Sequence, residues 1–180
     1  ALPGIAAMFL RVYENTLVRQ TEAELVAQGA AIAAASAAQW PGARPTVPDA
    51  TDWRPEPPTI DLSSSAILSE RPIPRRVADA ADPRAVRLAQ DIAPVVARTR
   101  QVTLSSIMIL DGRGRIAQPG AGESLATLPE IRSALAGRPA TVLRRNGSYR
   151  ATYRFEWLSR AAAVRVHHAR PITVDGEIVG

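Results

Sequence analysis

A chain of 180 residues, 46% apolar and 22% charged, is long enough for one domain with a sizeable core, and with aromatics at 4% that core must come from Ala, Val, Leu and Ile. Without cysteine there is no disulfide framework, thiolate zinc site or cysteine nucleophile; every basic residue is arginine, which also excludes a phosphate-loop lysine, a Schiff base and a Ser–Lys dyad. The net charge of +5 is unevenly spread: residues 132–170 hold nine arginines against the single acid Glu156, which fits a solvated basic face, an anion site or a polyanion surface.

Residues 1–9 open an uncharged, almost wholly apolar run, ALPGIAAMFL, that ends at Leu10. Ten residues fall short of the about 20 that cross a bilayer, and no basic leader marks a signal peptide. The expectation is the outer end of a transmembrane helix that begins before residue 1; the plainer alternative is the apolar end of an ordinary soluble helix. Residues 10–40 then read as one long helix. From Phe9 to Gln39 there is neither proline nor a turn dipeptide, and Val18, Leu25 and Ile32 recur every seven residues. That is a narrow apolar seam, suited to a sheet or to a partner helix. Trp40-Pro41-Gly42 ends it. Residues 41–80 form a Pro-rich connection, because 41–75 hold eight of the fifteen prolines; Trp53 and Ile60 are its anchors.

Residues 81–180 carry the body of the domain. Asp82-Pro83 is an N-cap followed by a first-turn proline, opening a helix with Leu88, Ile92 and Val95/Val96 on one side and a bend or end at Pro94. Val102–Leu110 (VTLSSIMIL) reads as an apolar strand that Asp111-Gly112 turns into a return around Ile116. Thr127-Leu-Pro-Glu130 is a capping-box pattern for a short helix closed by Gly137. Thr141–Arg145 and Ser148–Trp157 flank the hairpin signal Asn146-Gly147. Ala163–Ala169 alternates Val164 and Val166 with Arg165 and His167, and residues 172–179 turn at Asp175-Gly176. The fold class expected is α+β, a long N-terminal helix packed on a roughly five-stranded antiparallel sheet with short inserted helices.

Gly112-Arg-Gly114-Arg-Ile-Ala117 matches G-x-G-x-x-A after a strand, yet Gln118-Pro-Gly-Ala-Gly122 cannot start the helix that a dinucleotide site needs. A hairpin turn is the better account. His167 and His168, the only histidines, point to opposite faces of a strand and cannot ligate one metal side by side. A buried, hydrogen-bonded histidine is the simpler role, with a pH response physically open to it. Neither Ser63-Ser64-Ser65 nor Ser105-Ser106 has the base and strained elbow of a nucleophile, so no catalytic residue is expected, nor a metal.

One stretch mixes cations with aromatics: Tyr149-Arg150-Ala-Thr-Tyr153-Arg154-Phe-Glu-Trp157, with Arg165 and His167 nearby. Its plain reading is an aromatic core face backed by solvated arginines. Its functional reading is a small-anion pocket lined by Tyr149, Arg150, Tyr153, Arg154, Arg165 and His167, because guanidinium forks pair with carboxylates and aromatics give walls. Such mixtures also suit single-stranded nucleic acid, but no recognisable nucleic-acid module accompanies them, and no nucleic acid is expected as partner.

In order and spacing, these pieces resemble the extracytoplasmic PAS-like sensor domains of the Cache (PDC) group. Ser105-Ser-Ile-Met-Ile-Leu-Asp-Gly-Arg-Gly-Arg-Ile116 resembles that group's hairpin of an apolar strand and D-x-x-G-x-[IV]. Gly122-Glu-Ser-Leu-Ala126 with Leu128-Pro-Glu-Ile-Arg-Ser-Ala-Leu-Ala-Gly137 is similar to its helix, and Pro171-Ile-Thr-Val-Asp-Gly-Glu-Ile-Val-Gly180 to its closing hairpin. Arg11–Leu25 resembles the helix that leaves the first transmembrane segment of bacterial sensor histidine kinases. The likeness covers about residues 1–39 and 102–180.

The resemblance implies a PAS-like domain, truncated in its last hairpin, that is membrane-anchored in the bacterial inner membrane and faces the periplasm. Its parent would continue into a second transmembrane helix, a HAMP linker and a cytoplasmic histidine kinase. The phosphorelay to a cognate response regulator, and the ATP it uses, belong to that portion; this chain carries no phospho-acceptor His motif, no ATP-binding glycine box and no cofactor of its own. The Val18/Leu25/Ile32 seam would suit a parallel homodimer of the intact protein. The contiguous Tyr…Arg-x-Trp-Tyr motif of the amino-acid-binding variant is missing, so the six pocket residues rest on their chemistry alone. The expected role is detection of a small anionic ligand or an envelope signal. The alternative is a periplasmic protein–protein or envelope-polymer module without a small-molecule pocket, and a soluble nucleic-acid binder is the third reading.

Overall fold

The computed structural model describes residues 2–44, 47–103, 105–150 and 161–180. The elements run α1 (Leu2–Ala38), β1 (Ile67–Leu68), β2 (Arg75–Arg76), α2 (Pro83–Asp91), α3 (Ala93–Thr103), β3 (Glu123–Ser124), α4 (Pro129–Leu135), β4 (Ala140–Arg145), β5 (Val164–Ala169), β6 (Thr173–Val174) and β7 (Glu177–Ile178). The fold is α+β with a long N-terminal helix, as the sequence implies. Among the described residues, three small sheets, ordered β1-β4-β5, β2-β3 and β6-β7, stand in place of one five-stranded antiparallel sheet. Moreover, β1 runs parallel to β4.

The missing strand has a local cause. Val102 and Thr103 do not begin a strand; they complete α3, which restarts after Ile92 with Pro94 in its first turn, where proline is tolerated. Residues 105–109 form no ladder, and the return is held by single bridges, Leu110 to Ile116 and Arg115 to Ser124. The G-x-G-x-x-A stretch is the hairpin turn it was read as. Gly114 has φ +74°, and a Cβ there would lie 2.8 Å from that of Ala126, so the turn needs glycine.

The chain gathers into two compact units, each made of three separate stretches. The first takes residues 1–27, 55–72 and 141–168. Its sheet is β1-β4-β5, with Ile67 opposite Leu143 and Leu68 opposite Arg144. Thr141 meets His168 at one end of β4, and the Asn146 N–H bonds the Ala163 carbonyl beyond the other. The two contacts are equally spaced on both chains, which only an antiparallel β4–β5 register satisfies. Among the described residues β4 thus pairs with β1 on one side and β5 on the other. Val18, Ile60, Leu62 and Leu143 form the core, with Ile67, Val164 and Val166 packed on it. Ile60 is the anchor expected of the Pro-rich segment; Trp53 is not, being 83% exposed.

In this unit α1 buries Glu14, Val18 and Glu22, each four residues after the last. Val18 thus faces the body of its own unit, while Leu25 is half-buried and Ile32 packs on the core of the second unit. Of the seam expected to serve a sheet or a partner helix, Val18 and Ile32 are taken up by cores of the chain. Toward its start α1 is different: Gly4 to Leu10 are exposed on every side, with Met8 and Phe9 above 70%. No helix among the described residues is long and apolar enough to cross a membrane.

The second unit takes residues 28–54, 73–140 and 169–180. Trp40, Ala85, Leu88, Ile92, Ala117 and Ile172 form its main core; Ile116, Leu125 and Leu128 form a smaller one. The Arg84 guanidinium lies 5.5 Å from the Trp40 ring centre, a cation–π contact. Asp82 caps α2 as expected, its Oδ1 accepting the Arg84 N–H at 2.8 Å. Asp82→Ala should cost about 1 kcal/mol, read as a lower urea midpoint at unchanged m; an unchanged midpoint would deny the cap its role. The capping box expected at Thr127 is not formed. α4 starts at Pro129, and the cap position falls on Leu128, whose side chain is committed to the smaller core. Gly137 closes the helix with φ +83°, and Asp175-Gly176 turns the last hairpin with φ 50° and 82°.

Candidate functional site

The antiparallel register sorts the side chains of β4 and β5 onto two faces. Thr141 and Leu143 share one face with Val164, Val166 and His168; Val142 and Arg144 share the other with Arg165 and His167. The first face is filled by the apolar core of the unit. The second is cationic. Arg144, opposite Arg165, is only 3% exposed and sends Nη1 to the Ser69 carbonyl at 3.3 Å. Arg165, by contrast, is exposed, so the face presents cations at different depths.

The loop after β4 shapes the rim. The Tyr149 N–H bonds the Asn146 carbonyl at 3.0 Å, and Ser148 Oγ donates to Asn146 Oδ1 at 2.9 Å. Arg165 Nη2 donates to Ser148 Oγ at 2.9 Å, tying β5 to the loop. Arg150 turns back on the loop itself, with Nη1 donating to the Gly147 and Tyr149 carbonyls at 3.1 and 2.9 Å. The Glu70 carboxylate lies against Gly147, where any side chain would collide with it.

Of the six expected pocket residues, then, Arg165 and His167 share the cationic face, half-buried Tyr149 and exposed Arg150 belong to its loop, and Tyr153 and Arg154 lie outside the described residues. Ser148–Trp157, expected as a strand, is described only through Arg150, and Ser148–Arg150 are not in a strand. Two open depressions among the described residues, of about 390 and 500 Å³, are lined by second-unit residues, and neither includes a member of the expected pocket.

Among the buried carboxylates that escaped the sequence reading are Glu22 and Asp111. Glu22, 1% exposed, accepts from Thr59 Oγ1 and from the Ile60 N–H, both at 2.8 Å. The Thr59 N–H and the Thr141 hydroxyl lie near enough to favour its charged form as well. Burial pushes its acidity toward the neutral form, yet these donors together outweigh burial and hold the pKa below the ordinary 4.5. Thr141 Oγ1 also lies 2.9 Å from His168 Nδ1, so His168 is hydrogen-bonded, as expected of one histidine.

Asp111 is the hub of the second unit. Its Oδ1 accepts the N–H groups of Arg113 and Arg115 at 2.9 Å, and Oδ2 takes the Asp82 N–H at 3.0 Å and Arg115 Nε at 2.7 Å. Here as well burial opposes ionisation, and the donors win and lower the pKa. With every lone pair engaged, Asp111 is structural. An acid within the apolar stripe of a helix, and an Asp-Gly turn followed by Arg115, are the sequence signals that point to these two. In comparisons with known proteins, no family model, curated protein or solved structure matches this chain.

Proposed function

We propose that the chain is the extracytoplasmic input domain of a membrane-bound bacterial sensor histidine kinase, with a Cache-type relationship to other PAS-like sensors. It would face the periplasm, dimerise in the intact protein and report to a response regulator through a kinase that uses ATP. The observation that carries this reading is the start of α1. Gly4–Leu10 are uncharged and exposed all round, on the same unbroken helix that is buried deeper in the first unit. A helix apolar on every face is satisfied by lipid or protein on every face, not by water. Such a helix would carry movement of the sheet toward a membrane.

The signal in this reading is a small anion drawn to Arg144, Arg165 and His167. Thermal melts with a panel of dicarboxylates and inorganic phosphate, at one pH and ionic strength, test it. An anion at about 100 times its Kd adds about 2.7 kcal/mol, which is about 5–10 °C for a chain of this length. Arg165→Ala should abolish that rise. No rise with any anion would exclude direct sensing by this face. That outcome would favour the second reading, a periplasmic protein or envelope-polymer module. The filled inner face of the three-stranded sheet and the exposed Trp53 among prolines support it, since buried aromatics anchor protein interfaces.

A further inference from the structure

Asn146-Gly147 follows β4 in the first unit, and polar groups from three stretches of that unit meet there. Ser148 Oγ donates to Asn146 Oδ1 at 2.9 Å and itself accepts from Arg165 Nη2 at 2.9 Å. The arginine thus takes a lone pair of Oγ and leaves the hydroxyl hydrogen for the asparagine carbonyl. The Tyr149 N–H bonds the main-chain carbonyl of Asn146 at 3.0 Å, which draws electrons from the peptide whose nitrogen belongs to Gly147. The Glu70 carboxylate lies against Gly147, in the space that a side chain would take. Glu70, Gly147 and Ser148 are all exposed, so water reaches them.

Asparagine followed by glycine has a chemistry of its own. The next peptide nitrogen can close a five-membered ring on Cγ, and glycine leaves that nitrogen unshielded and free to turn toward it. Two electrostatic demands limit the attack: the nitrogen must lose its proton, and the charge arriving on Oδ1 must be held. Glu70 is an acceptor for the proton, and Ser148, backed by Arg165, is a donor already aimed at Oδ1. We propose that Asn146-Gly147 is a self-modification site, at which the chain converts Asn146 to aspartate or isoaspartate with Ser148, Arg165 and Glu70 assisting. The Glu70 carboxylate takes the Gly147 N–H proton as the nitrogen bonds Cγ, and the π pair of Cγ–Oδ1 moves onto Oδ1 under the Ser148 hydroxyl. As that pair returns, the Cγ–Nδ2 bond breaks, and the amide leaves as ammonia with the proton from Glu70. Water then opens the cyclic imide, at Cγ to give aspartate or at the main-chain carbonyl to give isoaspartate. One water is consumed, one ammonia is released, and nothing is oxidised or reduced.

Either product carries a carboxylate where a neutral amide stood, one hydroxyl away from Arg165. The modification stands apart from the sensor reading, which supplies only its consequence: a built-in carboxylate competes with an external anion for Arg165. Asn15, the other asparagine of the chain, has the opposite surroundings. Its Oδ1 accepts the Leu62 N–H at 2.9 Å, its Nδ2 donates to Asp61 Oδ2 at 3.4 Å, and the Thr16 nitrogen lies inside α1, where the helix ladder engages it. Asn15 is therefore an internal control.

Mass spectrometry of the whole chain, held folded in neutral buffer at body temperature and digested at intervals, tests this. The peptide holding residue 146 should gain the mass difference between an amide and an acid, while the Asn15 peptide stays unchanged. Ser148→Ala and Glu70→Gln should each slow the gain about fivefold, the effect of losing one hydrogen bond. In urea, where the arrangement is lost, the native chain and both variants should convert at one common rate, slower than that of the folded native chain. Should Ser148→Ala disturb the fold, Ser148→Thr serves: it keeps the hydroxyl and should convert at the native rate. A folded chain that keeps Asn146 while the unfolded chain loses it overturns the proposal, as do folded variants that convert as fast as the native chain. No ligand enters the measurement, so a failed anion response leaves the modification standing. An unchanged residue 146 with a working anion response removes the modification alone.

Discussion

Glu22→Ala should lower the stability of the first unit by about 3–4 kcal/mol, one of the largest losses open to a single side chain of α1. Hydrogen bonds to a charged acceptor contribute about 1.5–3 kcal/mol each, and donors left buried without an acceptor cost about as much again, though such terms do not add fully. Thr59 and Ile60 would both lose their acceptor at once. Urea denaturation followed by hydrogen exchange at Ile60 measures the loss; a change below about 1 kcal/mol would mean that Thr59 and Ile60 are held by packing alone. The pH dependence has a definite sign. Because the folded pKa lies below the ordinary 4.5, the stabilisation is complete at neutral pH and is lost as pH falls through the folded value. Glu22→Gln, unable to ionise, should be less stable near pH 7 and should converge with the native chain in acid.

Asp111→Asn should be at least as damaging in the second unit, costing about 3–5 kcal/mol, as expected when one partner of a buried ion pair is removed. The amide replaces an oxygen that accepts from Arg115 Nε and the Asp82 N–H with a group that donates, or turns the same conflict on Arg113 and Arg115. Arg115 would keep its charge in a place where its side chain is only 13% exposed. The effect should reach from the turn to the start of α2, since one carboxylate oxygen serves both. Amide exchange at Asp82 and Arg115, compared with exchange in the first unit, reads it. Protection unchanged at both positions would refute the role given to Asp111. Its lowered pKa adds the same sign of acid sensitivity as Glu22: full stability at neutral pH, lost as pH falls through the folded value.

What could be read in the sequence was what neighbours along the chain decide. The Asp82-Pro83 cap, the break beside Pro94, the αL glycine at Gly137 and the Asp175-Gly176 turn each depend on a few adjacent residues, and each formed where expected. β5 was legible because Val164 and Val166 alternate with Arg165 and His167, and β4 because it runs into the Asn146-Gly147 signal. Val102-Thr103 misled because β-branched residues suit a strand yet also end a helix at small cost, and α3 was already running when it met them. Glu22 and Asp111 carried only indirect signals, for the opposite reason. A carboxylate is buried only where donors from far along the chain arrive together, and Glu22 meets Ile60 across 38 residues. The arginine face was half legible: strand parity put Arg165 with His167, but the opposition of Arg144 and Arg165 needed the β4–β5 register.

The burial of Glu14, Val18 and Glu22 at four-residue steps also dictates how α1 can travel. An α-helix turns about 100° per residue, so each step of four overshoots a full circle by about 40° while rising about 6 Å. The covered stripe is therefore a thread wound on the helix, not a line ruled along it. Within the first unit, any advance that keeps these three side chains seated in equivalent positions must rotate the helix as it moves. Residues 2–10 would then receive a turning motion geared to a translation, as from a screw, and a pure piston stroke would strip the thread.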